Sequence, residues 1–153
     1  MKDIDALLAE HPMFRDLKPE HRRLVAGCGR NRTFEAGRWI LKEGDDADVF
    51  FAIRKGQVSL GIHVPERGDI SIETIGPGEV LGWSWLFPPH KVHFDARAVV
   101  TAHAIEFDGA CLRRKCDEDP VLGYALMKRF AAVIVSRLHA TRLQFLDMYG
   151  NAR

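Results

Sequence analysis

The spacing of apolar residues along this chain changes character twice, and the two changes divide it into three parts. Residues 3–28 carry apolar positions at helical spacing, among them Leu7, Leu8, Leu24 and Val25. The pattern breaks at Pro12 and restarts at Pro19, which suits a first helical turn because its missing N–H has no partner to lose there. Gly27 and Gly29 end it. From Thr33 to Asp108 the apolar runs become short, and Gly, Pro and Asp clusters separate them: Trp39–Leu41, Val49–Ile53, Gln57–Val64, Ile70–Ile75, Ala96–Thr101 and Ala104–Phe107. Short strands at roughly ten-residue intervals with turn residues between them predict a β sandwich or barrel-like unit. Long helices do not alternate with these strands, which argues against a doubly wound sheet.

Residues 109–150 return to helical spacing. Gly109–Glu118 predicts a short helix, and Pro120 can open the next. From Val121 to Tyr149 only Gly123 interrupts, giving a helix of about 40 Å at ~1.5 Å per residue. Met127, Phe130, Ile134, Leu138, Thr141, Phe145 and Met148 follow spacings of three and four, one continuous stripe. A single chain of this size rarely buries so long an apolar helix. Ile134, Leu138 and Thr141 are therefore expected to pack against a second copy, with His139 near that seam. Lys128, Arg129, Arg137 and Arg142 lie off the stripe and are expected on a solvated face. The expected organisation is one domain over residues 1–153: N-terminal helices over 1–30, a β unit over 33–108 and C-terminal helices over 109–150.

Composition narrows the function classes. The chain has 153 residues, 46% apolar and 28% charged, with a formal charge of +1. That balance lacks the basic footprint of a nucleic-acid-binding module. No apolar run reaches the ~20 residues of a membrane span, and the charged N-terminus has no signal-peptide core, so a cytoplasmic protein is expected. Cys28, Cys111 and Cys116 are few and odd in number, and in a reducing compartment they read as thiols. A bridge between Cys111 and Cys116, five apart on one helix, is not expected, nor is a structural metal. No Gly-x-Ser-x-Gly, Walker, His-Glu-x-x-His or Cys-x-x-Cys pattern appears, so no catalytic residues are assigned.

The segment from Leu41 to Val58, LKEGDDADVFFAIRKGQV, places Gly44 and Gly56 in tight turns between apolar runs, where a positive φ is open to glycine without strain. Pro12-Met13-Phe14-Arg15-Asp16-Leu17 precedes it, and Gly76-Pro77-Gly78-Glu79-Val80-Leu81-Gly82 follows. In this order the motifs resemble cyclic nucleotide-binding domains, and more narrowly the sensor half of the catabolite activator and fumarate-nitrate regulator superfamily. The resemblance implies a mainly β fold: a jelly-roll-like β-roll, or double-stranded β-helix, with N-terminal helices and a long C-terminal helix. It also implies a phosphate-binding cassette: a short helix after a Gly-Glu pair, then a loop, then an Arg followed by a small residue. The helix N-terminus holds the cyclic phosphate, the Arg contacts a phosphate oxygen, and the Glu accepts from the ribose hydroxyl.

The corresponding stretch departs from that pattern. Gly82 is kept, followed by Trp83, Ser84 and Trp85. Trp83 stands at the Glu position and can neither ionise nor accept a hydrogen bond. The Arg position falls on His93, or on Val92 if the loop is one residue shorter, and Phe94 replaces the small residue that follows. Arg97, four residues on, can supply the charge only if the loop is rearranged. Each charge-assisted bond lost is worth roughly 1.5–3 kcal/mol. Losing two weakens a micromolar site by about two orders of magnitude or more.

These residues leave several readings open. The first is a regulatory module that senses a small ligand at Gly82, Trp83, Ser84, Trp85, His93, Phe94 and Arg97 and signals through the long helix. Others are a cAMP- or cGMP-binding protein with a non-standard cassette, a ligand-free adaptor for a protein partner, and a haem sensor using His90 or His93. The superfamily's transcription factors carry a helix-turn-helix domain after the long helix. The chain ends at Arg153 without one and lacks the N-terminal cysteine cluster of iron–sulfur sensors, so direct DNA binding and iron–sulfur sensing are not expected.

Overall fold

The computed structural model describes residues 3–151, with side chains to residue 148, so residues 1, 2, 152 and 153 of the expected domain fall outside it. Helices α1 (Ile4–Glu10) and α2 (Pro19–Ala26) lead into eight strands. These are β1 (Gly29–Phe34), β2 (Trp39–Leu41), β3 (Val49–Lys55), β4 (Val58–Val64), β5 (Gly68–Ile75), β6 (Val80–Leu81), β7 (Asp95–Ala98) and β8 (Ala102–Asp108). A 3-10 turn over Ser84–Leu86 interrupts them, and α3 (Gly109–Glu118) and α4 (Pro120–Asn151) follow. All pairings are antiparallel, in two four-stranded sheets ordered β1-β8-β3-β6 and β2-β7-β4-β5. The β-roll with flanking helices and a long C-terminal helix is the fold the motifs imply.

Strand β3 shows why the roll has two cores. Its run of apolar residues is uninterrupted because both faces are covered. Phe50 and Ala52 point to the helices, whereas Phe51 and Ile53 point between the sheets. In the helical core, Phe50 stacks on Phe107 at 4.6 Å and on Trp85 at 4.8 Å, and Phe130 of α4 meets Phe50 edge-on at 5.1 Å. This aromatic cluster seats α4 on the first sheet. Strand β1 begins at Gly29, ahead of the Thr33 start expected from the pattern, because Arg30, Asn31 and Arg32 belong to an edge strand. Their polarity hides the strand, while Arg30 and Arg32 both pair with Glu106 across on β8.

Three expectations need correction. Cys28 and Cys111 are not thiols but a disulfide, with Cα atoms 5.9 Å apart across 83 residues of sequence. The pairing of β1 with β8 brings the residue before one strand beside the helix that follows the other, a proximity no local spacing reports. Cys116 is the free cysteine. Arg137 is not on a solvated face; it is buried, and Arg129 is half-buried against Asp16. The helical stripe is also split. Phe130 turns into the core, whereas Met127, Leu138, Phe145 and Met148 are exposed and Ile134 is half-buried.

Candidate functional site

The stretch expected to form the cassette opens where β6 ends. Gly82 adopts φ +96°, a left-handed conformation natural to glycine, and redirects the chain from β6 into the 3-10 turn. Trp83 precedes that turn and is half-buried, its ring 5.7 Å from the ring of Phe94. Ser84 is buried and its carbonyl accepts from Phe87 N–H at 3.3 Å. Trp85 points the other way, into the helical core, fully buried between Phe50 and Phe130. Of the residues singled out from sequence, the fold therefore brings Trp83 and Phe94 together and sends Trp85 elsewhere.

His93 is exposed, and Val92 beside it is buried between the sheets. His90 is half-buried, with φ +53° in the loop after Pro89. Arg97 faces outward from β7, because its neighbours Ala96 and Ala98 take the inward positions. Its Nε–H donates to Gly37 O at 2.8 Å, and its guanidinium lies 5.1 Å from the Trp39 ring. On the outer side of the loop, Lys91 and Asp46 form an ion pair that raises the lysine pKa and lowers that of the carboxyl.

The positive charge beside Trp83 comes from α4. Leu122, Leu126, Phe130, Val133 and Arg137 recur at intervals of four, four, three and four residues, so Arg137 continues the core-facing stripe. Its guanidinium lies 5.1 Å from the centre of the Trp83 ring and donates to Val80 O, with Glu73 Oε2 at 3.9 Å from Nε. Burial pulls the Arg137 pKa down, and the carboxylates of Glu73 and Glu79 push it back up. Among the described residues Nη1 has no hydrogen-bond acceptor, which makes the negative face of Trp83 its compensating surface. One turn on, Thr141 Oγ1–H donates to Arg137 O at 2.9 Å, and Gln144 Nε2–H donates to Ile72 O of β5. The helix is thus tied to β5, β6 and the cassette by polar contacts from one face. Leu138 is on another, 67% exposed.

Beside Arg137 lies a cavity of about 350 Å³, lined among others by Pro12, Met13, Glu73, Glu79 and Arg129. Its charges are already engaged. Arg129 bonds to Asp16 at 2.7 Å and holds that carboxyl below its ordinary range, and Glu79 accepts from Gly76 N–H at 2.6 Å. Among the described residues no group of three His, Cys, Asp or Glu side chains is placed to hold a metal ion, and no helix is long and apolar enough to cross a membrane.

Arg137 was missed because a charged residue beside apolar ones reads as surface. Its place in the 122–137 series was the available signal. Glu73, on a two-faced strand, had none.

Two four-stranded sheets, a glycine-initiated turn between β6 and β7 and a long helix packed beside that turn are the architecture on which the comparisons bear. The profile of the cyclic nucleotide-binding domain family matches residues 31–119, and the chain belongs to that family. A cyclic nucleotide-binding protein structure from Geobacter metallireducens superposes with a TM-score of 0.79 at 27% identity, covering 91% of this chain and 100% of that one. A cyclic nucleotide-binding domain from Methylobacillus flagellatus gives 0.80 at 18% identity, over 95% and 82%. The CRP-like cAMP-activated global transcriptional regulator of Mycobacterium tuberculosis is 22% identical over 145 residues, 95% of this chain. The chain spans 63% of that regulator's length.

Proposed function

We propose that this domain is a non-catalytic regulatory module whose cassette has lost its cyclic-nucleotide contacts and which signals through α4 to a second copy of itself or to another protein. The observation that carries this reading is the burial of Arg137 against Trp83 and Val80 O. In the family pattern a carboxylate and an inward arginine at the cassette address the ligand. Here an indole occupies the first position, Arg97 turns outward, and the inward arginine comes from the helix itself. The helix is held on the roll by the chain's own side chains, a role a ligand would otherwise fill.

The exposed side of α4 supports the signalling half of the reading. Tyr124, Ala131, Leu138 and Phe145 recur every seven residues, flanked by Met127, Val135 and Met148, all exposed. A seven-residue apolar repeat is the pattern by which helices pair. A helix of 32 residues, about 48 Å at ~1.5 Å per residue, offers that surface over most of its length.

Isothermal titration with cyclic AMP and cyclic GMP tests the reading, alongside thermal melting in their presence. No binding tighter than about 100 μM is expected. A ligand at a hundred times its dissociation constant stabilises by about 2.7 kcal/mol, so a real ligand shows plainly as a melting shift. Micromolar affinity for either nucleotide would overturn the proposal and favour a working site with a non-standard cassette.

A further inference from the structure

Cys28 lies between α2 and β1, and Cys111 in the first turn of α3 directly after β8. Contacts that owe nothing to the sulfurs hold the two positions together. Asp108 N–H donates to Cys28 O at 2.9 Å, Lys115 Nζ donates to Leu24 O at 2.7 Å, and β1 pairs with β8 from Gly29 opposite Phe107. A pair positioned in this way can open and close without refolding the chain. Cys28 is buried and Cys111 half-buried at the edge of a cleft. Both cysteines line a surface cleft of about 450 Å³ with Arg30, Asp48, Glu106 and Asp108. Cys28 is 8% exposed and Cys111 more so, which makes Cys111 the sulfur that a reagent meets first.

We propose that Cys28 and Cys111 form a reversible thiol–disulfide couple, exchanged with low-molecular-weight thiols and disulfides, whose closure fastens α3, and through it the root of α4, to the β-roll. In closure the Cys111 thiolate attacks one sulfur of a low-molecular-weight disulfide and expels one thiolate. The Cys28 thiol then loses its proton and attacks the Cys111 sulfur of the mixed disulfide, expelling the second. The protein pair is oxidised by two electrons and the small disulfide is reduced to two thiols. Reduction runs the same steps backward. Cys116 stays out of the exchange: burial, together with Asp117 and Asp119, pushes its pKa up to about 11. The couple reaches α4 because α3 packs against it. Leu112 shares a buried cluster with Leu122 and Leu126, and at Gly123 the crossing is so close that a Cβ would lie 3.0 Å from Cys116 O.

The test equilibrates the native full chain with graded mixtures of reduced and oxidised glutathione, then alkylates it and weighs it. Excess reduced glutathione is expected to expose two alkylatable thiols, and oxidised glutathione to hide them again, over repeated cycles. Opening should lower Tm by about 10 °C, given a closed loop of this length, and raise amide exchange in α3 and the first turns of α4 at least several-fold. Cys28→Ser and Cys111→Ser should show neither response. If either variant fails to fold, the wild-type chain in dithiothreitol gives the open-state reading. A bond that resists reduced glutathione until the chain is unfolded by denaturant would overturn the proposal and mark a permanent staple. So would thiols that stay open in oxidised glutathione, or exchange in α3 and α4 that ignores the redox state.

Discussion

The guanidinium of Arg137 lies 5.1 Å from the centre of the Trp83 ring, so that a residue of α4 and the residue after the Gly82 turn, 54 positions apart, meet face to face. Arg137→Ala removes this contact and the bond to Val80 O, and it leaves Glu73 without its cation. The expected loss is about 2–3 kcal/mol by urea denaturation. In a double-mutant cycle with Trp83→Ala, the two changes should couple by about 1 kcal/mol. Additive losses would mean that the ring and the guanidinium act independently. Arg137→Lys should recover only part of the loss, because an ammonium cannot serve the ring, the carbonyl and the carboxylate in one plane.

Stability should fall in mild acid through His11. This side chain is buried, with Nε2–H donating to Ile53 O at 3.1 Å and Nδ1 accepting from Met13 N–H at 3.1 Å. Both bonds are satisfied by the neutral ring alone. Burial lowers its pKa below 6.5, outweighing the Ile53 carbonyl that raises it. The unfolded chain therefore binds the proton first. The contribution is complete above about pH 6.5 and is lost progressively as pH falls toward the folded-state pKa. His11→Leu should flatten the pH 5–7 dependence of the unfolding free energy. It should also cost about 1–3 kcal/mol at pH 7.5, for two backbone groups left unpaired.

Two glycines with almost the same backbone angle should respond very differently to alanine. Gly44 has φ +91° with no described atom within 4 Å of a built Cβ, so Gly44→Ala should cost only the left-handed strain, about 1–2 kcal/mol. Gly56 has φ +90°, but its Cβ would lie 2.4 Å from Thr101 O and 2.7 Å from Ala102 Cα. Gly56→Ala should add a clash with backbone that cannot move aside, and exceed Gly44→Ala by about 2 kcal/mol or more. Melting curves of the two variants give the comparison directly.

Association through α4 is tested at Leu138, which is exposed and makes no part of either core. Leu138→Glu should leave the monomer's helical signal unchanged while weakening self-association about 100-fold by analytical ultracentrifugation, the effect of burying a charge at a central apolar contact. A wild-type chain that stays monomeric at high concentration would remove the dimer from the proposal and leave a heterologous partner.

Much of the fold was legible along the chain because it follows from local periodicity. The turn glycines, the two-faced run from Val49 to Ile53, and Pro120 at the head of a long helix each report their own surroundings. The edge strand β1 was hidden by its polar residues, whose ion pairs lie on a strand about 75 residues away. The turn at Gly82 was legible in position, but the orientation of the side chains after it was not. Trp83 and Trp85 differ by two residues in sequence, yet the 3-10 turn aims one at Phe94 and the other into the helical core.

What the amino-acid sequence determined by itself is the class of fold and the indole of Trp83 directly after the Gly82 turn, since both rest on residue identity and spacing of a few positions. Tertiary structure alone decided that Arg137 is buried, that Arg97 faces outward and that Cys28 meets Cys111. Each of these depends on which remote segment the chain lays alongside. Periodicity records whether a residue faces a core, but not what stands across from it.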